Sequence, residues 1–216
     1  MQRIERAGVD STPARLFARP YQMPELRHQT VVIVAGPPGA GKSTVAPRIA
    51  HALGAASIDI DATFSPIVPL LGPHPREVVR AAIYESLVAT TEASLQAGRH
   101  VVVAAPFTRE RRDRLAWDRL STRLSSSGAA AVLVWLHAPR ELLLERLAAR
   151  DATRDADKLA DPTSWLREAE PEVPPIVPHI AMDATDTAEH AVEQILRELV
   201  ERDRVAAEHL AAGRAS

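Results

Sequence analysis

The chain has 216 residues, with 26 basic and 28 acidic side chains and a formal net charge of −2, so it has no strong field to draw in nucleic acid or an anionic membrane surface. Cysteine is absent, which excludes disulfides and thiolate metal sites and suits a reducing compartment such as the cytoplasm. No run approaches the apolar length of a membrane span and the N-terminus lacks the apolar stretch of a signal peptide, so a soluble α/β domain with short appendages is expected.

Residues 1–29 contain Pro13, Pro20 and Pro24 and show no sustained period, which predicts an irregular arm with one short helix after Thr12-Pro13. The domain is expected to span 30–213. It opens on Val31-Val32-Ile33-Val34-Ala35, a continuous apolar run of the kind that a parallel sheet buries on both faces. A helix is predicted from Lys42 to about Leu53, stopped by Gly54. A second strand, Ala56-Ser57-Ile58-Asp59-Ile60, has a polar end and leads to Asp61; alternation along it would put Asp59 and Asp61 on one side at the carboxyl edge of the sheet. Pro66, Pro69, Pro73 and Pro75 make the following segment irregular. A helix then runs from about Pro75 to Ala97 before Gly98.

The third strand is Val101–Ala105. Thr108 is expected to cap a helix that presents Leu115, Ala116, Leu120 and Leu124 at helical spacing. A fourth strand, Ala131–Leu136, precedes a helix begun at Pro139 that carries Leu142, Leu143 and Leu147. The proline-rich stretch from Asp161 to Pro178 cannot form one helix; it reads as a covering loop around Trp165, or as the site of a buried structural tryptophan. His179–Met182 is the fifth strand. Asp186 with Glu189 then forms a capping-box variant before a long helix whose stripe is Ala191, Ile195, Leu199 and Val200. Strands alternating with helices predict a three-layer α/β fold, with about five parallel strands wound by right-handed crossovers.

One segment carries the chemistry. Gly36-Pro37-Pro38-Gly39-Ala40-Gly41-Lys42-Ser43-Thr44 matches GxxxxGK[ST] and lies between a buried strand and a helix start. Its glycines let successive amides point at phosphate oxygens, and the helix N-terminus adds its positive end. Lys42 reaches the β and γ phosphates of ATP, Ser43 offers a hydroxyl to Mg²⁺, and Thr44 lies just behind. Lys42 and Lys158 are the only lysines in a chain that otherwise uses arginine, so a lysine placed in this loop is a meaningful choice.

The rest of the chain narrows the class. Regulatory GTPases need an NKxD motif, and this chain contains no asparagine. Remodelling ATPases carry adjacent acids after an apolar strand, whereas here Val103 is followed by Ala104-Ala105-Pro106-Phe107. From about residue 30 to 200 the chain resembles the small phosphate-loop kinases, the group of shikimate kinase, gluconate kinase, chloramphenicol phosphotransferase and the zeta-toxin-like kinases, which carry an ATP-binding domain of the AAA type. The resemblance implies that the γ phosphate of Mg-ATP passes to a hydroxyl of a small molecule. By similarity to the paired acids of shikimate kinase, it assigns Asp59 to the magnesium shell or the base, and Asp61 to the acceptor hydroxyl. It also implies a lid at about 146–175, in which Arg146 meets the nucleotide while Arg150 and Arg154 stabilise charge on the phosphoryl group in flight; spacing four apart aligns the three on one face if the helix persists to Arg154. Phe64, His74, Arg80 and Tyr84 are candidates to line an acceptor pocket, and Arg109, Arg111 and Arg112 read more simply as a solvated helix turn. The missing strand-three acid keeps a second class open, an ATP- or ADP-binding regulatory protein without an acceptor. A nucleotide kinase is a third.

Overall fold

The apolar run after residue 29 forms β1 (Thr30–Ala35), buried along its whole length at the centre of the sheet. The structure is a computed structural model that describes residues 26–150 and 155–213, so the expected helix after Thr12-Pro13 lies outside the described residues. Four further strands, β2 (Ala56–Asp59), β3 (Val101–Ala104), β4 (Ala130–His137) and β5 (Ile180–Asp183), pair in parallel in the order β2-β3-β1-β4-β5. From β1 the chain winds to one side for β2 and β3, then crosses to the other for β4 and β5. Such a switch opens a crevice at the carboxyl end of β1.

Alternation on β1 explains why the run has no polar face. Val32 and Val34 pack under α1 (Lys42–Leu53) and α9 (Ala188–Gly213), whereas Val31, Ile33 and Ala35 pack under α3 (Arg76–Gln96) and α5 (Arg114–Ser125). Each fully buried branched side chain of this kind contributes about 1.5–3 kcal/mol. All five expected strands form, with ends shifted by a residue or so, and the helix bounded by Lys42 and Gly54 stands as read; Gly54 adopts φ 59° and closes α1 by bonding the carbonyls of Ala50 and His51.

Several local expectations are corrected. The second strand ends at Asp59: the carboxylate of Asp59 accepts from the amides of Asp61 (2.8 Å) and Ala62 (3.1 Å) and starts α2 (Ile60–Phe64), so Asp61 belongs to a helical turn and strand alternation does not relate the two acids. Thr108 caps nothing. It is the first residue of a short helix, α4 (Thr108–Arg112), after which the carboxylate of Asp113 caps α5 separately; this rotates Leu115 outward to 65% exposure. On α9 the cap is the Thr187 hydroxyl, which accepts from the amide of His190 (3.2 Å), rather than Asp186. Glu189 instead pairs with Arg48 of α1 (3.3 Å). The α9 stripe is Ala191, Val192, Ile195, Leu196 and Leu199, and Val200 faces out. The stretch after 160 is no loop at its start: α8 (Pro162–Ala169) comes after α7 (Ala156–Ala160), and the irregular part begins only past the end of α8.

At the start of the described chain, the amides of Arg27 and His28 and the His28 ring all bond the Asp203 carboxylate, and Leu26 packs against the core. Among the described residues no helix is long and apolar enough to cross a membrane.

Candidate active site

β1 delivers the chain to the crevice at Gly36, whose φ of 148° and close approach to β4 demand glycine: a Cβ there would lie 2.4 Å from the Leu136 carbonyl oxygen. The turn is held by an Ala40 amide to Pro37 carbonyl bond (3.2 Å), and Gly41, at φ 88°, turns the chain into α1. Lys42 folds back over this turn. Its Nζ donates to the carbonyls of Gly36 (2.8 Å) and Pro37 (3.0 Å), which places an ammonium against the mouth of the loop. Ser43 and Thr44 come next, on the exposed first turn of α1.

A cleft of about 1100 Å³ spreads from this loop over the carboxyl edge of the sheet. The loop from Gly36 to Thr44 lines it, together with Asp59, Asp61, Arg146 and Arg150, so these candidates converge although they come from four separate elements. Arg146 and Arg150 stand on α6 (Arg140–Arg150). Arg146 donates to the Gly39 carbonyl (3.3 Å) and the Ala184 carbonyl (2.7 Å), tying the phosphate loop to the end of β5. Arg150 lies one turn further along and grips Asp155 through Nε (2.9 Å) and a second guanidinium nitrogen. Arg154 lies outside the described residues. Within the described residues α6 ends at Arg150, with Arg146 and Arg150 on one face.

The acceptor-side candidates divide. Arg80 lines the cleft, but Phe64 is buried in the core and Tyr84 packs edge-on against Phe107 (5.8 Å between centroids, 74°). His74 is exposed and lies outside the cleft lining. Of the α4 arginines, Arg109 is exposed as expected, whereas Arg111 and Arg112 are taken up by α8 and the segment after it. Arg111 is 2% exposed and donates to the carbonyls of Ala169, Glu170 (3.0 Å) and Val173 (2.8 Å), while Arg112 bonds the Glu168 carbonyl (2.7 Å) and the Glu170 carboxylate (2.9 Å). Burial and the neighbouring Arg112 push the Arg111 pKa down to about 10, which still leaves it a cation at neutral pH. The C-terminal end of α8 is thus fastened to α4, with Trp165 half-buried against the core while it lines the cleft. Trp165 therefore stands on a helix rather than in a loop, and is half-buried rather than buried.

Sequence reasoning missed Asp155 and Lys158. Asp155 is fully buried and accepts from Lys158 Nζ (2.7 Å) as well as from Arg150. Burial raises its pKa, but the hydrogen bonds from Lys158 and Arg150 outweigh that and hold it below the usual carboxylate range. The rarity of lysine could have pointed to Lys158; Asp155 sits in a charged run with no distinguishing pattern.

Among the described residues no cluster of three or more His, Cys, Asp or Glu side chains is placed to hold a metal ion by itself. The donors beside the loop, the Ser43 hydroxyl and the Asp59 carboxylate, are hard oxygens and fit a magnesium ion that arrives with a polyphosphate and keeps several waters.

A buried strand, a glycine turn roofed by its own lysine and a helix start at a sheet switch point define a phosphate-loop nucleotide-binding protein. The AAA domain family matches residues 31–170, and the chain belongs to that family, among the small phosphate-loop kinases that its sequence resembles. A cytidylate kinase from Ignicoccus hospitalis is 31% identical over 122 residues, 56% of this chain and 65% of that kinase, so the alignment spans a little under two thirds of its length. A shikimate kinase from Halorhodospira halophila is 28% identical over 183 residues, 83% of this chain and 96% of that enzyme. The crystal structure of a gluconokinase from Sinorhizobium meliloti 1021 superposes with a TM-score of 0.58 at 21% identity, covering 87% of this chain and 98% of that one; it shares the fold.

Proposed function

We propose that this protein transfers the γ phosphate of Mg-ATP to a hydroxyl of a small polar molecule, working in a reducing cytoplasm. The observation that carries the reading is the convergence on one cleft of Lys42, roofing the phosphate loop, with two carboxylates, Asp59 at the end of β2 and Asp61 in the first turn of α2. The loop amides and Lys42 hold the β and γ phosphates, and Arg146 keeps the loop in place through the Gly39 carbonyl. Ser43 and Asp59 would hold a magnesium ion arriving with the nucleotide, and that ion would supply neutralisation of phosphate charge. The acceptor oxygen forms its bond to the γ phosphorus while the bond to the ADP oxygen breaks, and the acceptor proton passes to one of the two carboxylates. Asp59 has one oxygen committed to capping α2, which favours it for the magnesium shell and leaves Asp61 nearer the acceptor role. Trp165 and the α7–α8 cover exclude water, which would otherwise divert the phosphoryl group.

ADP release, followed across a panel of hydroxylated metabolites, antibiotics, sugar nucleotides and nucleotides, tests the reading. A hydroxyl acceptor that stimulates release is the expected result, and Lys42→Ala lowers it by about 10²–10³-fold with the fold intact. Tight ADP binding with no stimulation by any compound would instead support the regulatory class. The likeness to a cytidylate kinase favours a second acceptor, a nucleoside monophosphate, which the same panel distinguishes.

A further inference from the structure

Of the 26 basic side chains only two are lysines, and both line the same cleft. Lys42 belongs to the phosphate loop. Lys158 comes from α7, which in sequence is far removed from the loop, and is held there by a carboxylate that solvent does not reach. The side chain of Asp155 is 1% exposed and divides its oxygens: Oδ1 takes the Lys158 ammonium at 2.7 Å, and Oδ2 takes the Arg150 guanidinium. One buried anion thus holds two cations that both line the cleft. Its position is fixed from the other end as well, because Arg146, one turn before Arg150 on the same helix face, is bonded to the Gly39 carbonyl of the loop. The Arg150–Asp155–Lys158 unit is thus anchored at Arg150, one helical turn from the arginine that bonds the phosphate loop, and it lines the same cleft as that loop.

We infer that Asp155 is a positioning residue that presets Lys158, together with Arg150, against the terminal phosphate of the nucleotide, and that Lys158 is the second lysine to engage that group. The inference rests on the phosphotransfer reading of the cleft. An ammonium suits the task because it is a compact, three-donor cation that can bond a carboxylate and a phosphate oxygen at once, whereas the carboxylate, itself buried and doubly bonded, removes the freedom of a long flexible stem. A merely structural ion cluster would stabilise α7 without distinguishing nucleotides by their terminal phosphate.

Calorimetry with Mg-ADP and with the magnesium complex of the non-hydrolysable ATP analogue adenylyl imidodiphosphate separates the two. In Lys158→Met and Asp155→Asn the ratio of analogue to ADP affinity falls roughly tenfold relative to wild type, because only the analogue carries the group Lys158 engages, and Lys158→Arg restores part of it. Should Asp155→Asn fail to fold, Lys158→Met decides alone. An unchanged ratio in Lys158→Met overturns the inference while leaving the kinase reading in place. Absence of any ADP binding by the wild-type protein would defeat that reading itself, and the inference with it.

Discussion

At the scale of the residue, two positions carry the loop and fail in different ways when changed. Lys42 supplies charge, so its removal takes away phosphate affinity and leaves packing untouched. Gly36 supplies space. With a Cβ 2.4 Å from the Leu136 carbonyl and a φ of 148°, Gly36→Ala forces β1 and β4 apart at their carboxyl ends. The expected outcome is a loss of about 1–3 kcal/mol in a denaturant melt, accompanied by loss of nucleotide binding even though every phosphate-contacting side chain remains. A melt coincident with wild type would show that the loop is looser than its geometry indicates.

At the scale of the element, the existence and order of the strands were legible because β1 is apolar on both faces and β3 repeats the pattern, although the end of β2 was not. Helix starts were less so. Asp59, at the end of β2, and Asp113, the single residue between α4 and α5, each cap the following helix through their own carboxylate, a local competition that the period of the apolar residues does not reveal. The phosphate loop was legible residue by residue, since its chemistry lies in one contiguous motif. Asp155 was not: its importance arises from burial between α6 and α7, a tertiary fact without a sequence signature. Arg111 was misread for the same reason. A cation in a short arginine-rich turn looks solvated until α8 is laid over it, and its three carbonyl partners then make it the anchor of the cover. Arg111→Met is expected to cost about 1–3 kcal/mol, by thermal or denaturant melting, as those carbonyls lose their donor. It should also quicken proteolysis near α8 before the rest of the chain is cut.

At the scale of the whole molecule, carboxylates held by hydrogen bonds from amides, a hydroxyl and cations give the fold an acid limit. Asp155, Asp183 and Asp203 are all held below the ordinary carboxylate value. A group depressed in the folded state stabilises it at pH values above its unfolded pKa, near 4, and that stabilisation disappears as pH falls through the lower folded value. Melting temperature should therefore be flat near neutrality and fall steeply below about pH 4, with a shallower acid limb in Asp155→Asn. An acid limb of equal slope in that variant would mean Asp155 is not ionised in the folded protein.

The sheet, its switch point and the cleft above it serve to hold a nucleotide by its phosphates. Isothermal titration of the wild-type protein with Mg-ADP tests that most directly. Saturable one-to-one binding that weakens at least tenfold in Lys42→Ala, at unchanged melting temperature, is the predicted result. Equal affinity in the two proteins, or no heat of binding in either, would contradict it.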